Sequence, residues 1–129
     1  MAPGSRSGRV RVRRVSDGSI IGERVVLGTS FAQRFRGLMG RASLAADEGL
    51  FLPTSSIHML FMRFAIDALF VGRPDADGAR RVISAREHLP PWRGIVLPVR
   101  GAAGVVELRA GTLGRVGVRA GDVVTFESA

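Results

Sequence analysis

The chain has no cysteine among its 129 residues. Disulfides, thiolate zinc sites and cysteine nucleophiles are therefore excluded. It has no lysine either: all 19 basic residues are arginine. With abundant Ala, Gly and Val, that reads as a composition bias rather than a selected phosphate track. No apolar run approaches the roughly 20 residues of a membrane helix, and the first thirty residues lack the apolar centre of a signal peptide. The default expectation is a soluble cytoplasmic protein with no membrane role. Acidic residues are scarce in one region only. Residues 1–14 carry five arginines and no acid, so they supply +5 of the formal +8. The rest, with 14 arginines against 11 acids, is +3 and nearly balanced. A basic tail on a balanced domain predicts weak, salt-sensitive contact with nucleic acid and no specific recognition of it.

What is present suits one domain: 129 residues, 46% of them hydrophobic, can build a core. Residues 1–8 are small and polar and read as a disordered tail, with residues 9–129 as a single globular domain. Arg9 to Val15 alternates arginine and valine, the period of a strand with one wet face. Asp17-Gly18 is a hairpin turn signal, and Ile20 to Leu27 returns as a strand. Ser30 and Gln33 form a capping box for a main helix over about 30–40, with Phe31, Phe35, Leu38 and Ala42 on one face. Gly49 to Leu52 is a short apolar segment before Pro53.

Residues 57–71 (IHMLFMRFAIDALFV) read as a central β-hairpin. Arg81 to Ala85 is a strand, and Arg86 to Ala103 reads as a long ordered loop. Gly104 to Arg109 is a strand. Thr112 to Val116 forms one helical turn, with Thr112 capping it and Gly117 ending it. Gly121 occupies the positive-φ position of a type II turn before a final strand, Val123 to Phe126. Many short strands and little helical periodicity predict an α+β, mostly β domain: a small, barrel-like, largely antiparallel sheet with one main helix and one short helical turn.

Several residues interrupt apolar segments and are candidates for chemistry. As a strand residue, His58 lies among apolar neighbours; a hydrogen-bonded, half-buried histidine is the plainer reading. Asp67 and Glu107 sit inside apolar strands, where an acid needs a partner. Arg36, Arg41 and Arg63 are the expected partners, either as ion pairs locking helix to sheet or as parts of one cleft with His58 on its rim near Trp92 and Arg93. Met62 could line such a cleft or fill the core. His58, His88, Asp67 and Glu107 show no metal-ligand spacing, and no phosphate loop is present, so neither metal nor cofactor is expected.

The motifs RGLMGR (36–41), GLF (49–51), Ile57-His58, Met62-Arg63, Ile66-Asp67, Leu69-Phe70, VEL (106–108), AGT (110–112), Gly117 and Gly121-Asp122 occur in that order. Together they resemble the prokaryotic family known as domain of unknown function 192, over roughly residues 10–127. The resemblance implies a compact β-rich single domain and carries no established reaction, cofactor or catalytic residue. Relatives often carry an aromatic residue near Leu60 or Phe61, a proline at the position of Ala65, and a secretion signal.

The functional expectation is a non-enzymatic binding or accessory domain. Its groove would recognise an anionic small molecule or peptide through Arg36, Arg41, His58, Met62, Arg63, Asp67, Trp92, Arg93 and Glu107, with a monomer as the default. The alternatives are a hydrolase-like enzyme using His58 with Asp67 or Glu107, and nucleic-acid binding through the arginine-rich N-terminus.

Overall fold

In the computed structural model, residues 8–28, 38 and 41–128 are described. Apart from Leu38, the main helix expected over about 30–40, and Arg36 with it, lies outside the described residues, as do tail residues 1–7.

The strands are β1 (Arg9–Arg14), β2 (Ile20–Leu27), β3 (Glu48–Leu52), β4 (Ile57–His58), β5 (Ile66–Val71), β6 (Ala79–Leu89), β7 (Ile95–Val96), β8 (Gly104–Arg109) and β9 (Val123–Ser128). A short helix, α1 (Thr112–Val116), precedes β9. Seven strands close into a barrel in the order β1-β2-β3-β8-β5-β6-β9, while β4 and β7 form a separate two-stranded ribbon. All pairings are antiparallel except β2 with β3. Closure leaves no barrel edge strand. The turn chemistry is as expected from sequence: Gly121 has φ 96°, and the Asp122 N–H bonds to the Arg119 carbonyl at 3.1 Å.

Alternation along the strands sorts side chains onto two faces. Val12, Ile21, Val25, Phe51, Leu69, Val71, Val106, Leu108 and Val124 fill the barrel. Leu50, Leu52, Ile66, Ala68, Phe70 and Val105 point outward, yet they are buried too, in a second cluster with Leu38, Leu44, Ile57, Met59, Met62 and Val96. Strands β3, β5 and β8 are thus covered on both sides, which is why β5 reads IDALFV with little alternation.

That second layer corrects the hairpin expected over 57–71. Ile57-His58 pairs with Ile95-Val96, and β5 lies between β6 and β8. A strand that is apolar on both faces needs cover as well as ladder partners, and the 57–64 segment supplies the cover. The loop expected over 86–103 is also shorter than its sequence suggested. β6 continues to Leu89 through a bulge at His88, whose φ is 52°.

Both barrel mouths are closed. At one, α1 inserts Leu113, which is fully buried. At the other, the Phe51 and Phe126 rings meet edge to face at 5.2 Å. The Arg80 guanidinium lies 5.0 and 4.9 Å from their centroids and donates to the Gly72 carbonyl. Gly72 follows β5 at the end away from Asp67. Burial pushes the pKa of Arg80 down. The interior is therefore a packed core.

Candidate functional site

Asp67 is fully buried and points into the barrel, because it is on the same face of β5 as Leu69 and Val71. Its Oδ1 accepts the His88 backbone N–H at 2.9 Å. Its Oδ2 accepts those of Gly111 at 3.1 Å and Leu113 at 2.9 Å. One carboxylate thus ties the β6 bulge and the N-terminus of α1 to β5. The expected arginine partner of Asp67 is replaced by three backbone donors, since the segments packed on it present N–H groups rather than a cation. Thr112 is likewise not the cap: Gly111 occupies the cap position, with no side-chain capping bond.

Glu107 pairs across the sheet with Leu50 and Ala68, both in the outer cluster. It therefore projects from the opposite face to Asp67, and it too has no exposed surface. The sheet separates the two acids, so they do not share a cleft. His58 is half-buried in β4 opposite Ile95; its Nδ1 and the Glu107 Oε2 are both buried atoms. Met62 is core, with no exposed surface. Arg63 and Arg93 are exposed.

Arg41 bonds Glu48 at 2.9 Å. That contact, with the Ala45 N–H, holds the Glu48 carboxyl below its usual range. Arg41, Arg9, Arg24 and Glu48 rim a cleft of about 160 Å³ floored by Leu38, Leu44 and Leu50. Arg24 is held by Asp47 at 2.8 and 3.0 Å, which lowers the Asp47 pKa. None of His58, Trp92 or Arg93 lines this cleft. The described residues expected to meet are thus divided among the barrel interior, the covered outer layer, this cleft and one further surface.

That further surface is built by residues 57–63 and 92–97. The Met59 N–H donates to the Gly94 carbonyl at 2.8 Å, and the Trp92 N–H donates to the Met59 carbonyl at 2.9 Å. The Phe61 and Trp92 rings meet at 5.2 Å. Among the described residues seven large apolar side chains are exposed. Five are here: Leu60 (49%), Phe61 (52%), Trp92 (52%), Ile95 (64%) and Leu97 (72%). Phe61 and Trp92 both have φ 67°, in the left-handed region, where a non-glycine residue costs about 1–2 kcal/mol. Two strained, exposed aromatics in contact point to a constraint other than folding.

Of these, sequence reasoning singled out only Trp92. Leu60, Phe61, Ile95 and Leu97 look like core residues in a one-dimensional reading. One signal was available: residues 53–66 and 90–103 contain no acid, whereas Arg63, Arg93 and Arg100 lie within them. Among the described residues no group of three or more His, Asp or Glu could hold a metal, and no helix is long and apolar enough to cross a membrane.

A family model described as an uncharacterized ACR, domain of unknown function 192, matches residues 13–126. A UPF0127 protein of Thermococcus sibiricus is 31% identical over 109 residues, 81% of this chain. The chain spans 66% of that relative's length, just under two thirds. Two crystal structures are similar. A Sinorhizobium meliloti protein described as a candidate transcription regulator has TM-score 0.73 and 30% identity, over 92% of each chain. A Novosphingobium aromaticivorans protein of unknown function has TM-score 0.71 and 24% identity, over 90% of this chain and 82% of its own, a likeness of fold alone.

Proposed function

The chain belongs to the domain of unknown function 192 family, and on that premise we propose that it is a non-catalytic binding module recognising an anionic peptide segment through residues 57–63 and 90–97. The observation that carries this reading is the concentration of exposed apolar side chains there, two of them strained aromatics in contact, within stretches that hold arginines and no acid. Apolar anchors with a cationic rim suit a polypeptide that carries both apolar and acidic residues.

Two features argue against the hydrolase-like alternative. Asp67 spends both carboxylate oxygens on backbone N–H groups. Glu107 has no surface from which to meet a substrate. Duplex DNA is disfavoured as the ligand, because the exposed side chains of Leu60, Ile95 and Leu97 offer nothing to a phosphate backbone.

The test is selection of random peptides on the immobilised full chain, beside its Phe61→Ser/Trp92→Ser double variant. Enrichment of peptides that combine acidic and apolar residues, on the parent chain only, is expected. Equal enrichment on both proteins would overturn the reading. So would none on either, or preferential binding to duplex DNA or anionic lipid vesicles at 150 mM salt.

A further inference from the structure

Among the described residues, no strand pairs with the outer edge of β7 in its ribbon with β4. We propose that β7 accepts an extended acidic peptide by strand addition, with the peptide backbone bonding Ile95 and Leu97. This deepens, and rests on, the reading of residues 57–63 and 90–97 as a recognition surface.

The register carries the inference. Ile57 is opposite Val96 and His58 is opposite Ile95. The Met59 N–H bonds the Gly94 carbonyl, which fixes which backbone groups point across the ribbon. In an antiparallel ladder, directly bonded pairs alternate with non-bonded ones. The Ile57–Val96 pair is then the bonded one, and the N–H and C=O of Ile95 point away from β4. Leu97 follows β7 directly, and a chain that stays extended by one more residue points its N–H and C=O the same way. Among the described residues, the Leu97 backbone makes no hydrogen bond. Ile95 and Leu97 are alternate residues, and the side chains of both are mostly exposed. An exposed apolar edge with unspent backbone groups is the template that strand-adding domains use.

Charge selects the occupant. Arg93 precedes the edge, Arg100 follows it, and no acid lies between residues 90 and 103. A second copy of this chain paired antiparallel about Val96 would set Arg93 of one copy near Arg100 of the other, a like-charge contact that disfavours self-pairing. An acidic extended peptide meets both arginines with opposite charge and presents apolar side chains at alternate positions to Ile95 and Leu97.

The probe is an end-blocked nonapeptide with two glutamates at each end and a Val-Thr-Val-Thr-Val centre, titrated onto the full chain at 150 mM salt. Two isomers are compared with it, one N-methylated on the three valines and the other on the two threonines. Strand addition uses N–H groups from alternate residues only. One isomer should bind at least tenfold more weakly, and the other within about twofold of the parent peptide. Amide exchange at Ile95 and Leu97 should slow at least tenfold at saturation. A peptide that binds, depends on Trp92, tolerates both methylation patterns and leaves those two amides unchanged would overturn strand addition while the recognition surface stands. Absence of saturable binding up to millimolar peptide would also overturn strand addition. The surface itself is judged separately, by the random-peptide selection.

Discussion

Asp67 and Arg14 hold opposite ends of the same five-residue helix. The Asp67 carboxylate accepts the N–H groups of Gly111 and Leu113 at the N-terminus of α1. The Arg14 guanidinium donates to the carbonyls of Val116 at 3.0 Å and Gly117 at 3.1 Å at its C-terminus. Each charge sits at the end whose unpaired backbone groups and dipole favour it. Two barrel strands thereby fix the plug that closes one mouth, and Asp67 is placed as an element of architecture rather than of chemistry.

Replacing Asp67 should accordingly damage stability. Asp67→Ala leaves three N–H groups without their acceptor, that of Leu113 in a buried bond and those of His88 and Gly111 in partly buried ones, and a loss of about 3–5 kcal/mol is expected. Asp67→Asn keeps one acceptor but turns an amide toward backbone donors, so it should lose about 2–3 kcal/mol. Urea unfolding followed by circular dichroism measures both. Arg14→Ala should cost less than Asp67→Ala, because Arg14 is partly open to water.

Acid should weaken the fold through the carboxylates that arginines hold. Arg41 depresses Glu48, Arg24 depresses Asp47 and Arg14 depresses Asp17. Each folded-state pKa lies below its ordinary value of 4.5 for Glu or 3.8 for Asp. The stability these groups contribute is present above those values and is lost as pH falls through the folded-state values. The urea midpoint should therefore hold between pH 6 and 5 and drop below about pH 4. Glu48→Gln should flatten part of that drop.

Phe61 and Trp92 should separate recognition from stability. Trp92→Gly relieves about 1–2 kcal/mol of left-handed strain but loses an aromatic contact worth about 0.5–1.5 kcal/mol. Its melting temperature should therefore stay within a few degrees of the parent chain, while peptide binding is lost. A fall in melting temperature above ten degrees would make Trp92 a structural anchor instead.

Gly94 should tolerate no side chain. A Cβ there would come within 2.7 Å of the Met59 Cγ and 2.9 Å of the Pro90 carbonyl. Met59 is itself fully buried. Gly94→Ala should cost about 1–3 kcal/mol and shift the amide resonances of β4 and β7 in preference to those of the barrel.

Much of the framework was legible in the sequence because its signals are local. Alternation and flanking glycines gave Ile20–Leu27, Gly104–Arg109 and Thr112–Val116 with the bounds found in the structure. The barrel class followed from the number of short strands. The partners of β5 were not legible: IDALFV is apolar at almost every position, so it does not reveal which neighbours it needs. The role of Asp67 was hidden for a different reason. Its backbone partners lie 21, 44 and 46 positions away, and no spacing rule reaches that far. The proposed recognition surface was half legible, through Trp92, Arg63 and Arg93. Leu60, Phe61, Ile95 and Leu97 could not be told from core residues, because exposure is decided by which segment leaves the barrel to cover it.

Hydrogen exchange of the full chain, with and without the peptide most enriched by selection, tests the central claim most directly. Slowed exchange concentrated in residues 57–63 and 92–97 is the predicted result. Slowed exchange confined to residues 24–28 and 41–50, around the cleft rimmed by Arg9, Arg24 and Arg41, would contradict it and move recognition to that cleft.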